Sequence, residues 1–220
     1  MYLPSHFAQT RVEPLHELIR AHPLAMLITL ADAGLQANSI PFLIDAAPAP
    51  SGKQFGTLRG HVARANPLWR ETRGDVEALV VFQGPQAYIS PSMYPTKAAT
   101  GKVVPTWNYV TVQARGLLRV HDDPAWVRGI VERLTQTHEA ARPVPWAVSD
   151  APADYIETML RAIVGIEIEL TALQGKWKVS QNRDAVDRHG VVYGLEQQAL
   201  SRGDAQAAAM APWVARGGAV

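Results

Sequence analysis

The sequence predicts a mainly β protein of the α+β class, an antiparallel barrel, closed or split, with helices at its periphery. Three observations carry this. Short apolar or alternating segments recur along the chain and come mainly as sequential hairpins. Helical patterns sit at the start, the middle and the end. The strand–helix–strand alternation that a parallel sheet requires is missing.

Taken in order, "EPLHELIRAHP" sets Leu15, Leu18 and Ile19 on one helical face, and Pro23 stops the helix. "LAMLITL" reads as a buried strand, "DAGLQ" as a turn and "ANSIPFLID" as the returning strand of a hairpin. "APAPSGKQ" is a loop. "TLRGHVA" alternates, so His61 and Val62 point to opposite faces. "RANPLWRET" is a short helix with Asn66 as N-cap and Pro67 in first position. "VEALVVFQG" is the most apolar strand and reads as central. "PQAYISPSMYPTKAATGK" reads as a loop containing one short extended piece. "WNYVTVQARGLLRVH" is a long alternating strand with Gly116 as a bend. Helices fit "DPAWVRGIVERLTQTHEAA", capped by Asp122 or Asp123, and "DAPADYIETMLRAI". "VGIEIELTALQ" and "KWKVSQ" read as a last hairpin around "LQGK", followed by a helix. That makes six or seven strands. Residues 1–195 are expected to form one domain, and 196–220 an Ala-rich C-terminal tail.

Composition removes several function classes. With 220 residues, 47% hydrophobic and 19% charged, the chain is globular. Lys+Arg 21 against Asp+Glu 20 leaves a formal charge of +1, and no Lys/Arg run supplies the basic face that DNA binding uses. Without cysteine, disulfides, thiolate catalysis and Cys-ligated metals are excluded. The seven histidines lack the paired spacing of a zinc helix, and no GxGxxG, GxxxxGK[ST] or GxSxG pattern occurs. No apolar run approaches the roughly 20 residues of a membrane span. The N-terminus lacks the layout of a signal peptide, so a cytoplasmic location is expected.

Four segments retain polar and aromatic side chains where strands end. "RGHVARANP" carries His61 and Arg64, which also read as a rim histidine and a solvated arginine. "GPQAYISPSMYPTK" carries Tyr88, Ser90, Ser92, Tyr94 and Lys97, and its hydroxyls and ammonium suit a phosphate. "KVVPTWNY" sets Trp107 and Tyr109 on one strand face and Asn108 on the other. "GKWKVSQNR" brings Lys176, Lys178, Gln181, Asn182 and Arg183 to the end of the last strand.

Together with "MYLPSHF", "DAPADYI" and "LRAIVGIEI", these segments resemble the PaiB family, the FMN-binding negative transcriptional regulators. The resemblance runs from Met1 to about Leu195. It implies a split β-barrel like that of pyridoxamine-phosphate oxidase, a homodimer, and FMN at the subunit interface. Carried over segment by segment, it implies cofactor contacts from His61, Val62 and Arg64, and from Ala87, Tyr88, Ile89 and Ser90. It adds Lys102, Thr106, Trp107, Asn108 and Tyr109, then Lys178, Ser180, Gln181 and Asn182. The role implied is negative transcriptional regulation, with DNA a possible partner that the charge does not support. Fold kinship leaves a flavin-dependent oxidoreductase as the alternative.

Overall fold

The computed structural model describes residues 1–47, 52 and 54–217. Most of the loop expected at "APAPSGKQ" and the last three residues of the tail lie outside the described residues. The chain gathers into two compact units built from separated stretches. The first comprises Met1–Leu18, Gln83–Val112 and Gln174–Val220, the second Ile19–Phe82 and Gln113–Leu173.

The elements run β1 (Ala8–Gln9), α1 (Val12–Ala21), β2 (Leu24–Ala31), β3 (Gly34–Pro41), β4 (Leu43–Asp45) and β5 (Thr57–Ala63). Then come α2 (Leu68–Glu71), β6 (Ala78–Ile89), α3 (Lys97–Thr100), β7 (Thr106–Gly116) and β8 (Leu118–His121). The chain ends with α4 (Pro124–Glu139), α5 (Ala153–Arg161), β9 (Ile163–Glu169), β10 (Ala172–Lys178), α6 (Ala185–Arg202) and α7 (Ala205–Ala215). The described residues thus hold ten strands where the pattern suggested six or seven.

In the second unit, an antiparallel sheet runs in the order β4-β5-β9-β8. Its register sets Arg59 and Arg119 on either side of Glu167, and His61 and His121 on either side of Gly165. Arg59 Nε donates to Glu167 at 2.7 Å. Helix α4 packs on the inner strands β5 and β9 of this sheet, burying Val127, Ile130 and Leu134. Asp123, not Asp122, caps it, accepting from the N–H groups of Ala125 and Trp126 at 3.3 and 3.1 Å. The Trp126 ring stacks on His121 at 4.1 Å between centroids, and occupies the space a Cβ at residue 165 would need. The same unit holds the β2–β3 hairpin, with β6 pairing to β2 through Met26↔Val81 and Ile28↔Leu79.

In the first unit, the strand order is β1-β10-β7-β6. β6 is one continuous strand through Ile89, so "PQAYI" is strand rather than loop. Helices α6 and α7 follow β10. Asp204 caps α7, and Ala207, Met210, Ala211 and Val214 are buried. Trp213 meets Trp177 edge-on at 5.7 Å.

The expected final hairpin does not form. β9 lies between β5 and β8 in the second unit's sheet, and β10 lies between β1 and β7 in the first unit's. The link between them has no turn of its own: Leu170 N–H donates to Gly56 and Thr171 N–H to Arg115. Gly175 lies inside β10 and leaves room for the Leu15 side chain. The residue that suggested a turn is there for packing.

Gly165→Ala is expected to destabilise the protein by about 1–3 kcal/mol, because the Trp126 ring must leave its place on His121. Urea unfolding measures it, and an unchanged midpoint refutes the close packing.

Candidate functional site

Strand alternation gives the first unit's sheet two unlike faces. On β7, Trp107 is 54% exposed while the neighbouring Asn108 is 1% exposed. Trp107 meets Tyr88 of β6 edge-on at 5.8 Å. Two residues along β7, the Tyr109 ring lies 5.4 Å from Lys176 Nζ and 6.0 Å from Lys178 Nζ, both on β10. Lys176 also lies 5.4 Å from the Tyr2 ring. The result is an aromatic row, Tyr88, Trp107 and Tyr109, flanked by two ammonium groups.

Neither lysine ends on a carboxylate among the described residues. Lys176 is 7% exposed, and its Nζ donates to the Tyr2 carbonyl at 3.0 Å. Lys178 Nζ donates to Thr106 Oγ1 at 2.6 Å. A buried ammonium held only by a carbonyl and aromatic faces keeps most of its charge uncompensated. The place where it sits therefore favours an anion.

The opposite face fixes the strands. Asn108 Nδ2 donates to Ser180 Oγ at 2.8 Å, with both side chains buried. Ser180 is the one non-glycine residue with positive φ, 64°, among the described residues, a conformation costing about 1–2 kcal/mol. Gln181 holds the same corner: its Oε1 accepts from Val179 N–H at 2.8 Å and its Nε2 donates to the Trp177 carbonyl. Asn108, Ser180 and Gln181 thus shape the site's frame from behind.

The remaining expected residues fall into clear places. Ala87 and Ile89 are buried on the inward face of β6. Ser90 follows the strand and shares a 2.8 Å hydrogen bond with Ser92. Together with Tyr88 these two serines line a groove against α6. Lys102 and Asn182 are exposed.

His61, Val62 and Arg64 belong to the second unit. Val62 is core. His61 faces a pocket with Leu134, His138 and Trp146, and burial lowers its pKa below the usual histidine value. Arg64 is occupied. Its Nη1 donates to Asp122 at 3.0 Å, its Nε to the Arg161 carbonyl at 2.7 Å, and its Nη2 to Asp122 and to the Ile163 carbonyl. That side-chain hydrogen bond holds the Asp122 carboxyl below the usual carboxylate range. Lys176 and Tyr2 were not among the residues carried over from the motifs. The Lys-x-Lys spacing of "KWK" carried the signal for Lys176, since alternate strand residues share a face.

Antiparallel sheets in an α+β arrangement place the chain in the split-barrel class. The solved structure of the FAD and heme binding protein from Mycobacterium smegmatis is similar in fold, with a TM-score of 0.56 at 17% identity, covering 78% of this chain and 73% of that one. The chain belongs to the family described as "Putative FMN-binding domain", which matches residues 1–172. It is 38% identical to an uncharacterized protein of Aspergillus fumigatus, over 90% of this chain and 91% of that protein. It is 28% identical to the Protease synthase and sporulation protein PAI 2 of Bacillus subtilis, over 90% of each. The family resemblance and split-barrel fold expected from the motifs therefore hold. The cofactor is FMN.

Two outcomes test the frame. Asn108→Ala should cost about 1–3 kcal/mol, since it removes a buried hydrogen bond and leaves Ser180 Oγ unpaired; chemical unfolding measures this. Because Asp122 has a lowered pKa when folded, its contribution is full above the unfolded value of about 3.9 and lost as pH falls below it. Asp122→Asn should therefore lose less stability than the parent between about pH 5 and pH 2. Parallel losses in thermal unfolding would show that the Arg64 contact contributes nothing.

Proposed function

We propose that FMN lies on the aromatic face of the first unit, with its phosphate at Lys176, Lys178 and Thr106 and its ring system beside Tyr88, Trp107 and Tyr109. The observation that carries this is the pair of lysines without a carboxylate partner among the described residues. Their donor set suits a dianion, so the residues present fit the cofactor. The exposed aromatic rings offer a flat apolar surface to a planar ring system. When bound, FMN supplies electron or hydride transfer; the chain supplies its binding and orientation. In this reading Asn108, Ser180 and Gln181 position β7 and β10 without touching the cofactor. Arg64 serves the second unit, its donors being taken by Asp122 and two carbonyls.

The working form is a homodimer in this reading. Support comes from an uncovered apolar sheet face in the second unit. There, Leu24 and Met26 are 65% and 41% exposed, and their row continues through Ile28, Leu30, Leu79 and Val81. A face of this kind marks an interaction surface. Its self-association removes apolar area from water.

The biological role is negative regulation of transcription, in line with the PaiB resemblance. Direct DNA contact is not part of the proposal, because the formal charge is +1 and the sequence holds no run of Lys and Arg. Loss of the gene should raise a defined set of transcripts, and a Lys176→Ala/Lys178→Ala chain should fail to restore repression. An unchanged transcript profile sinks the regulatory role. Steady turnover of NADH or NADPH by the purified flavoprotein would instead establish the oxidoreductase alternative.

For the site itself, Lys176→Ala and Lys178→Ala should each weaken FMN binding by about tenfold or more, the loss of a charge-assisted bond. Riboflavin, which lacks the phosphate, should lose little. Equal losses for both ligands in fluorescence titrations would place the phosphate elsewhere. Met26→Glu should shift the protein towards the monomer in light scattering; an unchanged mass moves the dimer contact off this face.

A further inference from the structure

The groove beside Tyr88 has walls and chemistry unlike the lysine-flanked face. Its volume is ≈ 670 Å³, within the range of small-molecule sites. One wall is the end of β6 and the turn at Pro91–Met93; the other is α6 from Gly190 to Arg202. A Cβ at either Gly190 or Gly194 would overlap Met93, so helix and turn pack without a gap. Thr96 fastens the helix, donating its N–H and Oγ1–H to the buried Asp187 at 3.2 and 2.9 Å. Asp184 caps the same helix through Asp187 N–H at 2.8 Å. Walls held this firmly keep their shape before a ligand arrives, which lowers the ordering cost of binding.

The lining contains no carboxylate and one cation, Arg202. Asp204, two residues on, accepts from Ala207 N–H, Gln198 Nε2 and Gln206 N–H, bonds that lower its pKa. Arg202 acts on it through space without a hydrogen bond, as a minor cause of that lowering. Ser90 and Ser92 share one hydrogen bond between their hydroxyls, and Ser90 Oγ also accepts from Ser92 N–H at 3.2 Å, which leaves one position on Ser90 and two on Ser92 for a ligand. Gln197 contributes an amide of both kinds. Tyr88 and Tyr193 add exposed ring faces. Closely spaced hydroxyl and amide groups match vicinal hydroxyls, while a lone guanidinium matches one anionic group.

We infer that this groove binds a small polyol bearing one anionic group, a sugar phosphate or sugar acid, with its hydroxyls on Ser90, Ser92 and Gln197 and its anion on Arg202. The inference rests on the FMN reading in one respect: the cofactor's phosphate belongs to Lys176 and Lys178. Tyr88 lines the groove and also meets Trp107, so an occupant lies against one ring of the flavin face.

Calorimetric titration of the FMN-loaded protein tests this, with ribose 5-phosphate and gluconate as probes and ribose and inorganic phosphate as controls. At least one anionic polyol should bind with a dissociation constant below about 1 mM, and the two probes separate sugar phosphate from sugar acid. Arg202→Ala should weaken that binding by about tenfold or more while leaving FMN affinity unchanged. Absence of saturable binding by both probes overturns the inference. So does a fall in FMN affinity in Arg202→Ala and Gln197→Ala, which would make the groove part of the cofactor site. The FMN reading stands or falls separately, on Lys176→Ala and Lys178→Ala.

Discussion

The first unit depends on the buried hydrogen bond between Asn108 and Ser180. It ties the start of β7 to the end of β10 and holds Ser180 in a left-handed conformation that a serine adopts only at a cost. From that corner the chain turns into α6, where Asp184 caps the helix and Asp187 anchors it to Thr96. The wall of the groove beside Tyr88 therefore follows from a bond made on the far side of the sheet. At the same end of the two strands, Lys178 Nζ donates to Thr106 Oγ1. The energy of the Asn108–Ser180 bond is that of an ordinary hydrogen bond, but burial makes its loss expensive.

Electrostatics divides the molecule's cations by their partners. Arg59, Arg119 and Arg133 end on Asp45, Glu167 and Glu169, and Arg64 ends on Asp122. These are internal ties of the second unit. Lys176 and Lys178 end on a carbonyl and a hydroxyl. A guanidinium satisfied by carboxylates has little left for a ligand, whereas an ammonium among neutral groups has nearly all of its charge to offer. Partner chemistry separates structural cations from binding ones here more sharply than exposure does.

The β2–β3 hairpin, the central strand and the capped helix α4 were legible because each rests on local periodicity or a local cap. The opposite facing of Trp107 and Asn108 was legible for the same reason. The partners were not. Nothing in "RGHVARANP" shows that Asp122, 58 residues on, takes up Arg64. Gly175 carried a turn signal in "LQGK", yet its purpose is to admit Leu15. The strand at "PQAYI" was obscured because Gly84 and Pro85 are ordinarily breakers.

By itself the sequence determined the α+β class, the absence of cysteine chemistry, the family and hence FMN. It also determined which side chains share a strand face, because that periodicity is a property of the backbone alone. Only the tertiary structure decided which of those faces stays open. It joined Lys176 to Tyr2 and Tyr109, turned Asn108 inward to Ser180, and occupied Arg64 with Asp122. The physical reason is that a side chain's charge and donors are fixed by its chemistry, but what remains of them for a ligand depends on neighbours brought from distant parts of the chain.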